Sequence, residues 1–571
     1  MAECSAVNAD AQPRRKHLLT VVVEDYFQVG AFSHLIPSGY WSRFETNLQR
    51  NTESALALLA MTGSRATFFS CGWIADNHPQ ILRLIVESGH EVACQGYFHH
   101  RIGELSPADF TKDARRSRLA VEDATGQIVR GFRIGRGWIG PRDIWALDAL
   151  AEAGFAYDSS LHARNAARGA IHRHAARAGI LYEVSPTSLP ILGQACLLSG
   201  GNYLRQLPDW LLRSGVEKWV ASHADPLMFY FHSWELEAEQ PKIAAASWLQ
   251  RLRHYRNLAI MPDKIRYFLE RYDFISIAEH LELKPEAATR RARDETPATV
   301  LSRPTVVSSG MAKTPLTLVI PCYNEAETLR YLAKTLQRFA EQAGTLFDLH
   351  YVLVDDGSRD DTWALLQQYF GDQDRFRLIR HGANRGIAAA LITGFCHAHT
   401  EYLASLDADC TFAPEQLIEM MSLMTEEVDV VAASPAHAQG SMRTVPAWRA
   451  LLSRGAAFMY RCVLSHKLTS YTSCFRLYRR RALQGITVYD PGFCGVTEIL
   501  GRLDLAGCRI VEYPAVLETR LLGRSKIKIL RTVAGHLRLA LQLATWRWLG
   551  RPMPEPAATD MQVSYADNDR K

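Results

Sequence analysis

The stretch Tyr402-Leu-Ala-Ser-Leu-Asp407-Ala-Asp409 is an apolar run that ends in two carboxylates two residues apart. At the end of a buried strand such a pair projects into a cleft, where Asp409 is free to hold a divalent cation. Mg²⁺ and Mn²⁺ take oxygen ligands and need only one or two protein carboxylates when a substrate diphosphate supplies the rest. The pair therefore points to a nucleoside-diphosphate binder that uses Mg²⁺ or Mn²⁺. Two upstream runs have the same form. One passes from Leu316 through Pro321 into Tyr323-Asn-Glu325, and the other from Leu349 into Asp355-Asp356-Gly357-Ser358.

Three β-rich runs separated by helical patterns, each ending in carboxylate or amide groups, describe a mainly parallel α/β sheet with its ligand at the carboxyl ends of the strands. With these motifs the second half of the chain resembles the family 2 glycosyltransferases, inverting enzymes with a nucleotide-diphospho-sugar transferase fold. The resemblance implies that Tyr323 and Glu325 form the rim of the nucleoside site. It assigns Asp355 and Asp356 to the base edge and ribose, with Gly357 allowing the tight turn. Asn384-Arg385-Gly386 opens a helix whose N-terminus suits a diphosphate. Asp407 and Asp409 carry the metal, Asp409 as the direct ligand, and the cation offsets charge on the leaving group.

Further along, Tyr471 to Arg480 resembles a segment of the polyprenol-phosphate sugar transferases. Thr497-Glu498 lies where the family places an acidic residue facing the acceptor, and many members have an Asp where this chain has Ile499. Glu498 is then the candidate base, although a lipid-phosphate acceptor is already ionised and needs none. Arg520, Arg524 and Lys526 are candidates to close over the donor diphosphate or an acceptor phosphate. Residues 527–549 carry an apolar stripe beside arginines at roughly helical spacing. Such a helix either packs on its own domain or lies in a membrane interface.

In the first half, strands at Leu18–Val23, Arg65–Ser70 and Glu91–Cys94 alternate with helices at Thr52–Met61 and His78–Ser88. This spacing implies βα units forming an open sheet or a barrel. The strand-end residues Glu24-Asp25-Tyr-Phe27, Gly89-His-Glu91, Gly96-Tyr-Phe-His99 and His232-Ser-Trp-Glu235 resemble the NodB-type polysaccharide deacetylases of the exopolysaccharide-associated branch. That implies a distorted (β/α) barrel. A metal-dependent deacetylase needs a carboxylate base, a carboxylate-and-two-histidine metal site and a histidine acid. The base position is Val22, the first metal histidine is Gln95, and the Arg-Ala-Pro segment reads Arg133-Ile-Gly. Glu24, Asp25, His99 and His232 remain, so the resemblance implies a degenerate site. Tyr97, Tyr203 and Trp234 either line a glycan groove or pack in the core.

The 571 residues are too many for one ordinary domain. The expected organisation is a flexible N-terminus over 1–17, a deacetylase-like domain over 18–283, a linker over 284–313, a transferase domain over 314–550 and a disordered tail over 551–571. Hydrophobic content of 47%, 22% charged residues and a net charge of +5 describe a globular chain and give no reason to expect nucleic acid. Eleven scattered cysteines without a Cys-x-x-Cys pair suggest reduced thiols. Neither a signal peptide nor a membrane-spanning run is expected, which implies a cytoplasmic protein, with peripheral contact at the inner face of the cell membrane through 527–549 as the alternative left open. The resulting expectation is an inverting, metal-dependent transferase acting on a lipid-linked or polysaccharide acceptor, beside an inactive deacetylase-like domain. Two alternatives are a bifunctional deacetylase and transferase, and a non-catalytic glycan-binding assembly protein.

Overall fold

The computed structural model describes residues 15–161, 171–191, 194–197, 200–288, 313–442, 447–523, 529–550 and 563. The chain divides into two compact units. The first is Met1–Trp41, Thr46–Pro241 and Ala246–Ala298; the second is Ser42–Glu45, Lys242–Ala245 and Thr299–Lys571.

In the first unit the strands are β1 (Lys16–Val23), β2 (Thr67–Ser70), β3 (Glu91–Cys94), β4 (Gly131–Phe132), β5 (Tyr157–Asp158), β6 (Ile171–Ala176), β7 (Gly179–Val184), β8 (Ser188–Ile191), β9 (Gln194–Leu197), β10 (Met228–His232) and β11 (Asp273–Ile275). Nine of them form one sheet in the order β10-β1-β2-β3-β4-β5-β7-β6, with β11 also on β1, and β8 pairs with β9 separately. Among the described residues of the large sheet, only β6 and β7 are antiparallel. β1 is buried from His17 to Val23 with no alternation, as expected of a parallel strand covered on both faces. The helices Leu48–Thr62, Pro79–Glu87 and Pro107–Thr125 supply the crossovers. This is the expected distorted barrel, and among the described residues its outer strands do not pair with each other.

The second unit adds β12 (Thr314–Cys322), β13 (Phe347–Asp355), β14 (Phe376–Arg380), β15 (Tyr402–Ser405), β16 (Val430–Ser434), β17 (Ser441–Met442), β18 (Arg476–Arg479), β19 (Ile510–Pro514) and β20 (Val516–Leu517). Its main sheet runs β14-β13-β12-β15-β18-β16-β19, with β18 antiparallel to both neighbours and the other pairs parallel. Register sets the chemistry. Cys322 pairs with Asp355 and Val319 with Ser405, so the acidic ends of β12, β13 and β15 reach the same edge. Pro321 lies two residues past the last β12–β15 pair, where its missing N–H costs that ladder nothing.

The helix Ile387–Cys396 lies on this sheet through small residues. Ala388, Ala389 and Ala390 are buried, and a Cβ on Gly394 would come within 2.2 Å of Val319 Cγ1. Chain ends differ from the expectation in three places. β1 begins at Lys16, two residues inside the expected flexible N-terminus. Residues 284–288 still belong to the first unit, where Ile128 N–H donates to the Glu286 carbonyl and Ala288 N–H to that of Gly126. In the expected tail, Val563 is buried and exchanges backbone hydrogen bonds with the Gly485-Ile486 turn. Met561-Gln-Val563-Ser-Tyr565 alternates apolar and polar residues, a short strand-like pattern that an expectation built on the proline-rich and polar composition of the tail does not use. The remaining residues of the expected linker and tail lie outside those described.

Candidate active site

β15 stops at Ser405, and Leu406 N–H still donates to the Val319 carbonyl of β12 at 3.1 Å. Asp407 and Asp409 therefore leave the sheet together at its carboxyl edge. The turn is sharp: Cys410 has φ +49°, its N–H donates to the Asp407 carbonyl, and Thr411 N–H donates to Asp409 Oδ1 at 3.1 Å. Desolvation and then the charge of Asp409 push the Asp407 carboxyl up to about 7. Desolvation also raises Asp409, which the Arg520 guanidinium pulls the other way. Arg520 Nη1 lies 3.3 Å from Asp409 Oδ2, and its Nη2 donates to Glu325 Oε2 at 2.5 Å. Burial works against the charge of Arg520, yet Asp409 and Glu325 hold its pKa above the ordinary arginine value.

These residues fit a divalent cation of the Mg²⁺ or Mn²⁺ type. Asp407 and Asp409 are a pair of oxygen donors whose mutual repulsion a cation would relieve. No cluster of three or more His, Cys, Asp or Glu among the described residues is arranged to enclose a metal, so a bound diphosphate would have to complete its coordination.

The neighbouring acids are used differently from one another. Asp355 accepts from Ser358 N–H at 3.0 Å and lies 3.2 Å from Arg380 Nε. Asp356 is taken up inside the protein. Its Oδ1 accepts from His381 Nδ1 at 2.8 Å and Arg385 N–H at 2.8 Å, and its Oδ2 from Asn384 Nδ2 at 2.8 Å and Gly386 N–H at 2.7 Å. Asp356 thus shapes the turn into the next helix and offers no open lone pair to a ribose. The same contacts correct the reading of that helix N-terminus as a diphosphate cradle. The amides of Arg385 and Gly386 go to Asp356, and those of Ala388 and Ala389 go to the Pro491 carbonyl at 2.9 and 3.2 Å. The exposed Arg385 side chain remains beside the site. Tyr323 is half-buried at the end of β12, and Glu325, nearly buried, also accepts from Thr328 Oγ1 at 2.9 Å. Arg524 and Lys526 lie outside the described residues.

Glu498 is buried, and its oxygens accept from Tyr489 N–H and Asp490 N–H at 3.0 Å and from Arg502 Nε at 2.8 Å. A carboxylate so occupied holds the Tyr489–Gly492 turn in place, which argues against the base role assigned to it from the sequence. Sequence reasoning finds its position but not its neighbours, because the Glu498/Arg502 spacing of one helical turn reads equally as a surface pair.

In the first unit, Glu24 is the centre of what remains of the deacetylase constellation. Trp234 Nε1 donates to its Oε1 at 2.8 Å, His232 Nε2 lies 3.5 Å from the same oxygen, and His99 Nδ1 lies 3.6 Å from Oε2. Burial lowers the pKa of His232, but Glu24 and Glu235 outweigh it and the net shift is upward. Asp25, pushed up to about 6 by burial, accepts from Thr46 Oγ1, Asn47 N–H and Tyr26 N–H, and thus fastens a turn. Arg133 stitches strands together through Thr20 Oγ1 and Ser159 Oγ, while Val22 and Gln95 are buried. The donor set does not fit a carboxylate-and-two-histidine metal, because Glu24 is already bonded and Gln95 stands in for a histidine. Tyr97 and Trp234 are buried and pack in the core, which removes them from any glycan groove; Tyr203 is half-buried.

The family description "Glycosyl transferase family 2" matches residues 317–487, and "Polysaccharide deacetylase" and a domain of unknown function, DUF3473, match residues 39–157 and 155–282. A polyprenol monophosphomannose synthase of Mycolicibacterium smegmatis is 30% identical over 41% of this chain and 87% of its own length. The chain belongs to glycosyltransferase family 2. A dolichol-phosphate mannosyltransferase of Pyrococcus furiosus is 28% identical over 40% of this chain and 64% of its own, just under two thirds of its length. Among solved structures, a glucosyl-3-phosphoglycerate synthase of Mycobacterium tuberculosis in complex with Mn²⁺, UDP and glucosyl-3-phosphoglycerate is 17% identical over 42% of this chain and 82% of that one, with a TM-score of 0.30.

This family 2 transferase carries an apolar cleft of about 590 Å³. The cleft lies between the helices Ala447–Val463 and Ile529–Leu549 and is lined by Leu451, Leu452, Met459, Phe493 and Val533. Phe493 begins the helix Phe493–Leu505, directly after the Tyr489–Gly492 turn that sits on the helix following Arg385. The Ile529–Leu549 helix is divided by face. Leu539, Ala540, Leu543 and Ala544 are buried, with Leu543 close against Gly501, whereas Leu537, Leu541 and Trp548 are exposed. No helix among the described residues is long and apolar enough to cross a membrane.

Proposed function

We propose that the transferase moves a sugar from a nucleotide-diphospho-sugar to a polyprenyl phosphate, with inversion and with a divalent cation at Asp407 and Asp409. The apolar cleft carries the choice of acceptor. A soluble glycan has no use for an apolar trough of this size, whereas an isoprenoid tail buries its methyl branches there. The two flanking helices, residues 447–463 and 529–549, contain six arginines and no acidic residue. That charge suits an anionic lipid and the surface it comes from. The named mannose-transferring relatives act on polyprenol or dolichol phosphates, which supports the same reading.

In this reaction an oxygen of the acceptor phosphate attacks the anomeric carbon from the face opposite the nucleotide. The bond from that carbon to the diphosphate oxygen breaks, and the electron pair leaves with the nucleoside diphosphate. A cation held by Asp407 and Asp409 would supply positive charge to that leaving group. Arg520 adds a fixed charge at the same edge. Since the acceptor oxygen is already ionised, no side chain has to remove a proton, consistent with Glu498 being occupied elsewhere. The first unit, lacking a base at Val22 and a metal site, is a non-hydrolytic companion.

Nucleotide release from a panel of UDP- and GDP-sugars, offered polyprenyl phosphate with Mg²⁺ or Mn²⁺, tests the proposal. Turnover that needs the lipid phosphate and falls at least about 100-fold in Asp409→Ala is expected. Turnover with a soluble glycan and none with the lipid would overturn the acceptor assignment.

A further inference from the structure

We propose that Arg520 is a resident counter-cation of the donor-free enzyme, which occupies the acidic site until metal and donor enter together and displace it. The inference rests on the reading of Asp407 and Asp409 as a metal site and adds an order to the binding events.

Three acids meet where β12 and β15 end, and the Arg520 guanidinium bridges two of them through separate nitrogens. Nη1 faces Asp409 Oδ2 at 3.3 Å, and Nη2 faces Glu325 Oε2 at 2.5 Å. Asp409 is the residue a divalent ion would use, so the guanidinium and the ion draw on the same carboxylate. The side chains involved are 22%, 13% and 11% exposed for Arg520, Asp409 and Glu325, which makes the pairing a partly desolvated one that salt screens weakly. Glu325 also accepts from Thr328 Oγ1.

The backbone carrying Arg520 can let it go. Arg520 follows β20, and its Nε donates locally, to the Leu522 carbonyl at 3.0 Å, so this bond travels with the same short segment. Gly523 then turns the chain with φ +70°, and a Cβ there would lie 3.0 Å from Arg520 Nη2 and 3.3 Å from Thr328 Cγ2. Glycine at this place lets the turn fold back over the guanidinium. A diphosphate offers that guanidinium a bidentate partner of higher charge than one carboxylate. Moving onto the diphosphate frees Asp409 as the donor arrives, so an ion alone meets an Asp409 carboxylate already paired and an ion accompanied by nucleotide does not.

The test is Mn²⁺ binding, followed by electron paramagnetic resonance and calorimetry on the full chain, with and without UDP or GDP. The wild type is expected to bind Mn²⁺ at least about tenfold more weakly without nucleotide than with it. Arg520→Gln is expected to tighten nucleotide-free Mn²⁺ binding by on the order of tenfold and to narrow that gap. Arg520→Lys, which keeps the charge but has a single ammonium for the two carboxylates, is expected to fall between wild type and Arg520→Gln, with thermal melts confirming that each variant folds. Nucleotide-free Mn²⁺ affinity no tighter in Arg520→Gln overturns the proposal. Asp409→Asn separates the two readings: if it abolishes Mn²⁺ binding while Arg520→Gln changes nothing, the metal site stands and the counter-cation falls. If Asp409→Asn binds Mn²⁺ with nucleotide as the wild type does, both fall.

Discussion

Glu498 shows how the role of an acidic residue in the expected place is decided by its neighbours. It is buried, bonded to two backbone amides and paired with Arg502 one helical turn on. Arg502 in turn lies over Tyr489 at 4.5 Å. Glu498→Gln leaves the amide bonds in part and breaks the ion pair, so it should cost about 3 kcal/mol of stability, read by denaturant unfolding. The acidic limb of its kcat/KM profile should match that of wild type. Loss of that limb would return Glu498 to the role of base. The Asp-x-Asp pair is legible in the sequence because two carboxylates that end an apolar strand cannot stay inside the sheet and must face a cleft. Asp356 and Glu498 are not, because a sequence shows an acid but not which amides turn back to meet it. For Arg520 the resemblance gives only the expectation of a place near a phosphate; its hold on Asp409 and Glu325 joins residues far apart in the chain and has no local signature.

At the scale of elements, the parallel strands and their acidic ends follow from apolar runs and breaks at Pro321 and Gly357. β18 does not. It lies antiparallel between β15 and β16, and its polar Arg476 and Arg479 mask the buried character of the strand. Arg476 is buried by giving its protons to the Val496 and Tyr471 carbonyls at 2.6 and 2.7 Å. A tight joint between elements is Gly386, with φ +104° and a position where a Cβ would lie 2.2 Å from the Pro491 carbonyl oxygen. That carbonyl accepts the first amides of the Ile387–Cys396 helix, so the joint holds the active-site turn against the turn leading to the cleft. Gly386→Ala forces both an unfavourable backbone and a displaced Pro491. It should destabilise the second unit by about 2 to 4 kcal/mol, seen as a lowered midpoint of unfolding. A variant as stable as wild type would show that the two turns yield independently.

For the whole molecule, the question is what a deacetylase-like unit contributes when it is joined to a transferase. Each unit has its own sheet, and buried clusters gather around Leu18, Phe69 and Met228 in the first and around Val319, Leu403 and Leu500 in the second. In the first, the residues that would have handled metal and water now bond to one another: Glu24 with Trp234 and the two histidines, His232 with Glu235, and Glu235 with Arg205. Trp234 in turn stacks on His254 at 4.3 Å, and His254 meets Gln240 at 2.9 Å. His99 Nε2 and Gln95 Oε1 are buried there without a hydrogen-bond partner, but Glu24 is already bonded and Val22 supplies no carboxylate to activate water. Wild type incubated with N-acetylated oligosaccharides and Zn²⁺, Co²⁺ or Mn²⁺ should therefore release no acetate above background. His99→Ala removes a side chain of the first unit that faces Glu24, and should leave sugar transfer within about twofold of wild type. Metal-dependent acetate release that disappears in His99→Ala would instead make the chain bifunctional, with Glu24 acting where an aspartate was expected.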